Sequence, residues 1–151
     1  MVVIFMLAKR NANNSLFFDM TKDLLSQLKH DYPELRFIDG KKYAFRPPRT
    51  IILESKDSRN DYLLLHEVAH AICKHKSFKT DIERLRMESE AWEKAKELAS
   101  YYDVEMNEDS VQDELDTYRN WLHRKSRCPN CGLTRFQTSD GRYHCPQCNT
   151  Y

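Results

Sequence analysis

Glycine is scarce in this sequence, with only three among its 151 residues. This scarcity excludes collagen-like repeats and architectures built on glycine-rich loops. Long apolar runs are also lacking, because the run at residues 1–8 is far shorter than the roughly 20 residues that a membrane-spanning helix needs. Lys9 and Arg10 follow this run, whereas a secretory signal peptide has its basic residues first. We therefore expect a cytoplasmic protein with no membrane contact, in which residues 1–8 form a buried strand.

A strong net charge is absent too, but the total of +1 hides three different segments. Residues 1–80 carry a net charge of +5, residues 81–118 carry −9, and residues 119–151 carry +5. With 40% hydrophobic and 31% charged residues, the chain has the composition of a folded, water-soluble protein. Its length suits one compact domain, or one domain with a small appendage.

The hydrophobic pattern predicts a mixed α+β fold. Short extended runs at residues 42–45 and 50–53 are followed by helical periodicity over most of the remaining chain. We predict helices at about residues 16–30, 58–76, 80–102 and 109–124. Two of them begin with capping-box patterns, Ser58 to Asp61 and Thr80 to Glu83. The last 25 residues contain four cysteines and differ in character from the rest.

The most specific motif is His66-Glu67-Val68-Ala69-His70 on the second predicted helix. Histidines four residues apart on a helix project from the same side, so both rings can bind one metal ion. A glutamate directly after the first histidine can act as general base toward metal-activated water. The motif predicts a catalytic zinc site with His66 and His70 as ligands and Glu67 as the base.

A third ligand is expected on the next helix, because catalytic zinc sites use three protein ligands. On a helical wheel, Glu88 falls in the middle of the apolar stripe, whereas Glu90 and Glu93 fall outside it. A carboxylate in an apolar stripe is costly unless a cation pairs with it. Glu88 is therefore the predicted third ligand. Cys73 and Lys76 occupy the positions where a metzincin has glycine and histidine, which excludes that class.

These motifs resemble the gluzincin clan of zinc metallopeptidases. The run from Glu88 to Trp92, with Ala95, is most similar to the E-x-E-A-N-x-F-A pattern of ImmA/IrrE-type peptidases. The resemblance implies a small zincin-like domain, with a short sheet packed on several helices, that hydrolyses peptide bonds in a protein or peptide substrate, as an endopeptidase. It also implies that a sheet edge binds the substrate backbone as an added strand. Residues 50–53 are the candidate edge.

Two CPxC motifs near the C-terminus predict a second metal site. Cys128 and Cys131 are separated from Cys145 and Cys148 by thirteen residues, a spacing typical of a four-cysteine zinc ribbon. Disulfides are the less favoured alternative in a reducing compartment. We thus predict a metallopeptidase domain at residues 1–125, a zinc-ribbon hairpin at 126–151, and two zinc ions per chain, one catalytic and one structural.

The basic tail leaves the role of the ribbon open. Its basic and aromatic side chains could contact nucleic acid, recruit a protein, or only support packing on the core; they are Arg119, Arg124, Lys125, Arg127, Arg135, Arg142, Phe136 and Tyr143. A protease followed by a ribbon also resembles, in layout alone, the SprT-like proteases that act on DNA-associated proteins. Those enzymes use a third histidine, and none occurs here between His75 and His123. The alternative function is a non-catalytic, zinc-stabilised module that binds nucleic acid or protein.

Overall fold

The computed structural model describes residues 23–54 and 60–149. The strand predicted at residues 1–8, the first part of the helix predicted at 16–30, and Ser58 lie outside the described residues. The first described helix, α1, spans Leu24–Asp31. It begins at Asp23, whose side chain accepts a hydrogen bond of 2.6 Å from the backbone N–H of Leu25 and so caps the helix.

A three-stranded sheet follows α1. Its strands are β1 (Arg36–Gly40), β2 (Ala44–Arg46) and β3 (Thr50–Glu54), in the order β1-β3-β2. β1 runs parallel to β3, whereas β2 runs antiparallel to it. The expectation that residues 50–53 form a sheet edge is wrong, because β3 is hydrogen-bonded on both sides. Among the strands described, β1 and β2 are the edges.

Three long helices make up most of the rest of the main domain. α2 spans Asp61–Ile72, α3 spans Asp81–Tyr102 and α4 spans Glu108–Ser126. The predicted capping box at α3 is confirmed, since Thr80 and Glu83 exchange side-chain to backbone hydrogen bonds. α2 ends four residues earlier than predicted, because the chain turns at Lys74 with a φ of 57°.

The hydrophobic core lies between the sheet and these helices. It includes Ile51 of β3, Leu65 and Val68 of α2, Trp92 of α3 and Val111 of α4, all at 0–1% exposure. Every residue of this core cluster precedes the C-terminal cysteines. The predicted mixed α+β class is therefore confirmed, with the helices supplying most of the buried surface.

The C-terminal segment is a small hairpin with four clustered cysteines. Its strands, β4 (Phe136–Gln137) and β5 (Tyr143–His144), pair antiparallel across a turn that contains Gly141, within the hairpin predicted at residues 126–151. The predicted domain boundary at residues 125 and 126 falls in the last turn of α4. The division into two domains stays a prediction.

Candidate metal centres

Helices α2 and α3 pack side by side and place the predicted ligands together. Leu64, Leu65, Val68 and Ala69 bury one face of α2, and the two motif histidines project next to that face. Glu88 lies on α3, one turn before the buried Ala91 and Trp92. The side chain of Glu88 is only 12% exposed, which fits its predicted place in the apolar stripe.

Three ligand atoms form a nearly equilateral triangle. His66 Nε2 and His70 Nε2 are 3.1 Å apart, and each lies 3.3 Å from Glu88 Oε2. Tetrahedral ligands at zinc–nitrogen and zinc–oxygen distances of about 2.0–2.1 Å are separated by about 3.3 Å. Without a metal ion, two of these atoms could share a proton in a hydrogen bond, but the third atom would then have no partner. The donor set and its spacing therefore fit a metal ion such as zinc.

The charges of this cluster favour an ionised Glu88. Burial raises the pKa of the Glu88 carboxyl, but hydrogen bonds and charge interactions with His66 and His70 outweigh it and lower the pKa to about 2. Burial also lowers the pKa of His66, which favours its neutral form. Neutral imidazoles and an ionised carboxylate are the states in which these side chains bind metal.

Glu67 stands beside this triangle but is not part of it. Burial raises the pKa of its carboxyl group to about 7, while the nearby His70 and a hydrogen bond with the Phe45 backbone act in the opposite direction. Phe45 belongs to the edge strand β2, and its ring stacks on His70 at a centroid distance of 6.2 Å. The carboxylate of Glu67 thus lies close to His70 and to the backbone of β2.

Aromatic side chains surround the ligands. Trp92 stacks on the ring of His66 at a centroid distance of 4.1 Å and an interplanar angle of 23°. On α4, burial and then the charge of Glu88 raise the pKa of the Tyr118 phenol to about 12. The sequence alone gave no signal that either residue adjoins the site.

A third group of possible ligands adjoins the first and comprises Cys73, His75 and Glu90. His75 is buried at 8% exposure, and its Nδ1 lies 2.8 Å from Nδ1 of His70. Its other ring nitrogen, Nε2, lies 3.4 Å from Glu90 Oε2. Burial, and next the nearby His70, lower the pKa of His75. The sequence alone did not indicate this contact.

The four predicted ribbon cysteines converge in the C-terminal hairpin. Cys128 Sγ lies 4.0 Å from Cys148 Sγ, and Cys131 Sγ lies 3.6 Å from Cys145 Sγ. Thiolates around zinc at about 2.3 Å are separated by about 3.8 Å, so the spacing fits a tetrahedral zinc site. None of the five cysteines of the chain, all of which are described, forms a disulfide.

The backbone turns tightly after each pair of cysteines. Gly132 and Asn149 follow the second cysteine of each motif with φ values of 72° and 52°, in the left-handed region that favours glycine. Hydrogen bonds from the backbone N–H groups of Cys131 and Asn130 lower the pKa of the Cys128 thiol. A lowered pKa favours the thiolate, which is the form that ligates zinc.

Much of the predicted basic surface is engaged within the molecule. Lys125 pairs with Asp81 at 2.7 Å, Arg142 with Asp140 at 2.7 Å, and Arg119 with Asp116 at 2.8 Å. Tyr143 is buried, whereas Phe136 is 53% exposed. These contacts reduce the charge that residues 119–151 present to a partner.

No protein-family profile, curated protein or solved structure shows significant similarity to this chain. Within residues 23–54 and 60–149, no helix has both the length and the apolar character needed to cross a bilayer.

Proposed function

We propose that this chain is a zinc-dependent endopeptidase of the gluzincin type, related to the ImmA/IrrE-like enzymes. The observation that supports this function best is the triangle of His66 Nε2, His70 Nε2 and Glu88 Oε2, with Glu67 next in sequence to one of its corners. A purely structural zinc site is closed by a fourth protein ligand and needs no adjacent carboxylate. Here three ligands are available, which leaves room for water or substrate.

Each side chain has a separate role in the proposed reaction. His66, His70 and Glu88 hold the zinc ion, which when bound supplies a Lewis acid for the peptide carbonyl and for water. The Glu67 carboxylate takes a proton from the attacking water and gives it to the nitrogen of the departing amine. The Phe45 N–H bonds to Glu67 and helps to hold the carboxylate in place.

The edge strand β2 is the proposed docking strand for the substrate. Among the described strands, β2 pairs only with β3, and it carries Phe45 next to Glu67 and His70. An extended peptide added to the free side of β2 would gain main-chain hydrogen bonds and pass close to the base. This assignment replaces the central strand β3, which has no free side.

The four ribbon cysteines are proposed to hold a second, structural zinc ion. With Cys128, Cys131, Cys145 and Cys148 as ligands the coordination is closed, so this ion stabilises the hairpin and takes no part in hydrolysis. The hydrogen bonds of Tyr143 and Gln137 with Asp81 favour a ribbon that packs on the protein over one that binds nucleic acid.

The decisive experiment combines metal analysis with peptide hydrolysis. We expect two zinc ions per chain in the wild type and in Glu67→Gln, because the substitution alters none of the proposed metal ligands. General-base catalysis contributes about 10²- to 10⁴-fold, so kcat/KM of Glu67→Gln on a mixed peptide library should fall by about that factor. Glu93→Gln, at a 71% exposed side chain of α3, is the matched control and should retain wild-type activity.

The rival function, a zinc-stabilised binding module, predicts a different result. If the chain is such a module, the wild type should hydrolyse no peptide in the library, and Glu67→Gln should bind its partner as the wild type does. Equal hydrolysis by wild type and Glu67→Gln would remove Glu67 as the base.

A further inference from the structure

His75 sits directly behind one of the proposed metal ligands. It lies in the turn after α2, where its backbone N–H donates a 3.0 Å hydrogen bond to the carbonyl of His70. Its ring nitrogen Nδ1 is also 2.8 Å from Nδ1 of His70. The left-handed φ of Lys74 makes both contacts possible by reversing the chain. His75 is thus attached to His70 at backbone and side chain together.

Metal binding decides where the protons of this pair reside. A histidine that binds metal through Nε2 as a neutral ring carries its proton on Nδ1. His70 would then donate from Nδ1 to the lone pair on His75 Nδ1, which leaves the proton of His75 on Nε2. Nε2 faces Glu90 Oε2 at 3.4 Å, so it can donate to that carboxylate.

We propose that His75 is the positioning residue of the catalytic metal centre, fixing the ring of His70 through the Nδ1–Nδ1 hydrogen bond with Glu90 as its outer acceptor. This inference rests on the proposed binding of zinc by His66, His70 and Glu88. Metal-ligating histidines are commonly oriented by a carboxylate or a carbonyl group bonded to the second ring nitrogen. Here the buried His75 is the partner of the second ring nitrogen of His70, and His75 in turn contacts the carboxylate of Glu90 at the surface.

The two ligand histidines are held by different means. Among the described residues, the buried Nδ1 of His66 has no hydrogen-bond partner, and its ring is held by stacking against Trp92. The ring of His70 stacks less closely, on Phe45 at a centroid distance of 6.2 Å, but its Nδ1 has a hydrogen-bond partner in His75. Removal of His75 should therefore loosen His70 and leave His66 unaffected.

The same histidine belongs to the group of Cys73, His75 and Glu90, which could itself bind a metal ion. The two uses exclude each other, because the hydrogen bond from His70 leaves the proton of His75 on Nε2, the atom that faces Glu90. An ion bound to Nε2 would have to displace this proton. Occupation of that group by a third zinc ion is therefore the competing outcome of the test.

The test measures zinc affinity by competition with a chelator on the full chain, with the ribbon zinc in place. His75→Leu removes the acceptor, and we expect zinc to bind about 10- to 100-fold more weakly at the His66/His70/Glu88 site. His75→Asn places an amide oxygen near the former Nδ1 and should restore most of the affinity. Proton NMR of the zinc-loaded wild type should show a far-downfield Nδ1–H resonance of His70 that is absent from His75→Leu.

Glu90→Gln is a second test in case the substitution of the buried His75 prevents folding, because the Glu90 side chain is 59% exposed. It should weaken zinc binding by a few-fold, whereas the control Glu93→Gln should not. Unchanged affinity in all folded His75 and Glu90 variants would overturn the proposal. So would a third zinc ion in the wild type that Cys73→Ser removes. A wild type that binds zinc tightly but hydrolyses no peptide would end the peptidase proposal and leave the role of His75 intact.

Discussion

At the scale of single residues, Asp81 joins the ribbon to the main domain. Its carboxylate accepts hydrogen bonds from Tyr143 Oη at 2.8 Å and Gln137 Nε2 at 3.3 Å, and it pairs with Lys125 Nζ at 2.7 Å. Its own backbone N–H donates to Gln137 Oε1 at 2.7 Å. Burial raises the pKa of Asp81, but the bonds from Lys125 and Tyr143 outweigh it and the net pKa is lowered.

Replacement of this carboxylate should make stability less dependent on pH. The lowered pKa means that ionised Asp81 stabilises the fold above the pKa of the unfolded chain, and that this contribution is lost as pH falls through the folded pKa. We expect Asp81→Asn to cost about 1–3 kcal/mol near neutral pH. The difference from wild type should shrink below about pH 4, as measured by urea unfolding with excess zinc. A difference that stays constant with pH would contradict the role of the charge.

Glu88 provides a second test at this scale. Glu88→Ala removes one corner of the triangle, so the zinc content should fall from two ions to one while the ribbon keeps its ion. Metal analysis after gel filtration measures this directly. Retention of both ions would show that Glu88 is not the third ligand.

The sequence could predict Glu88 because the helical period alone places it among buried residues of α3. It could not predict the contact of His75 with His70, which depends on a chain reversal at Lys74 in an ordinary-looking polar turn. The positions of Phe45 and Tyr118 depend on how β2 and α4 pack against α2 and α3. That packing is set by distant parts of the chain.

At the scale of elements, the interface between α2 and α3 contains the proposed catalytic site. Trp92 is the largest fully buried side chain at this interface, at 1% exposure. Its ring packs against two rings of α2, that of Tyr62 at a centroid distance of 5.9 Å and that of His66 at 4.1 Å. The same ring therefore packs the two helices together and orients a proposed ligand.

Two core substitutions on α3 should separate these roles. Trp92→Ala should cost about 3–5 kcal/mol of unfolding free energy and also weaken zinc binding, since His66 loses its stacking partner. Leu98→Ala, also buried but two turns further along, should cost about 2–5 kcal/mol and leave zinc affinity unchanged in the folded protein. Chemical unfolding and zinc titration measure the two effects. Equal zinc affinity in both variants would contradict the orienting role of Trp92.

Elements with local signals were predictable. The capping box fixed the start of α3 at Thr80, and the two CPxC motifs located the ribbon turns. β1 was not predicted, because its exposure does not alternate regularly and its partner β3 lies beyond β2 in sequence. The sheet order β1-β3-β2 follows from this non-local pairing, which is why the edge strand was assigned wrongly.

At the scale of the whole molecule, the two proposed metal centres lie in different parts of one chain, which each would stabilise separately. The core cluster contains residues from Leu24 to Leu115 and none from the ribbon. The hydrogen bonds of Tyr143 and Gln137 with Asp81 provide the polar connection between the two parts. The opposite charges of residues 81–118 and 119–151 are partly neutralised against each other by the ion pair of Asp81 with Lys125.

Loss of the ribbon zinc should therefore leave most of the main domain folded. Cys145→Ser removes a thiolate ligand, and we expect the hairpin to unfold, because small zinc ribbons depend on their metal. Hydrogen exchange should rise in the ribbon and in the first turn of α3, where Asp81 loses Tyr143 and Gln137. The centre of α2 should stay protected. Global unfolding of Cys145→Ser would contradict this division of stability.

The placement of Asp81 and Glu88 on one helix has a mechanical consequence. They are seven positions apart, which is about 10 Å along the axis of α3. Tyr143 and Gln137 of the ribbon are hydrogen-bonded to Asp81, less than two turns from the proposed ligand Glu88. Tilting the helix by about 10° around Asp81 would shift the Glu88 carboxylate by about 2 Å. We therefore expect a displacement of the ribbon to change the distances among the three proposed ligand atoms.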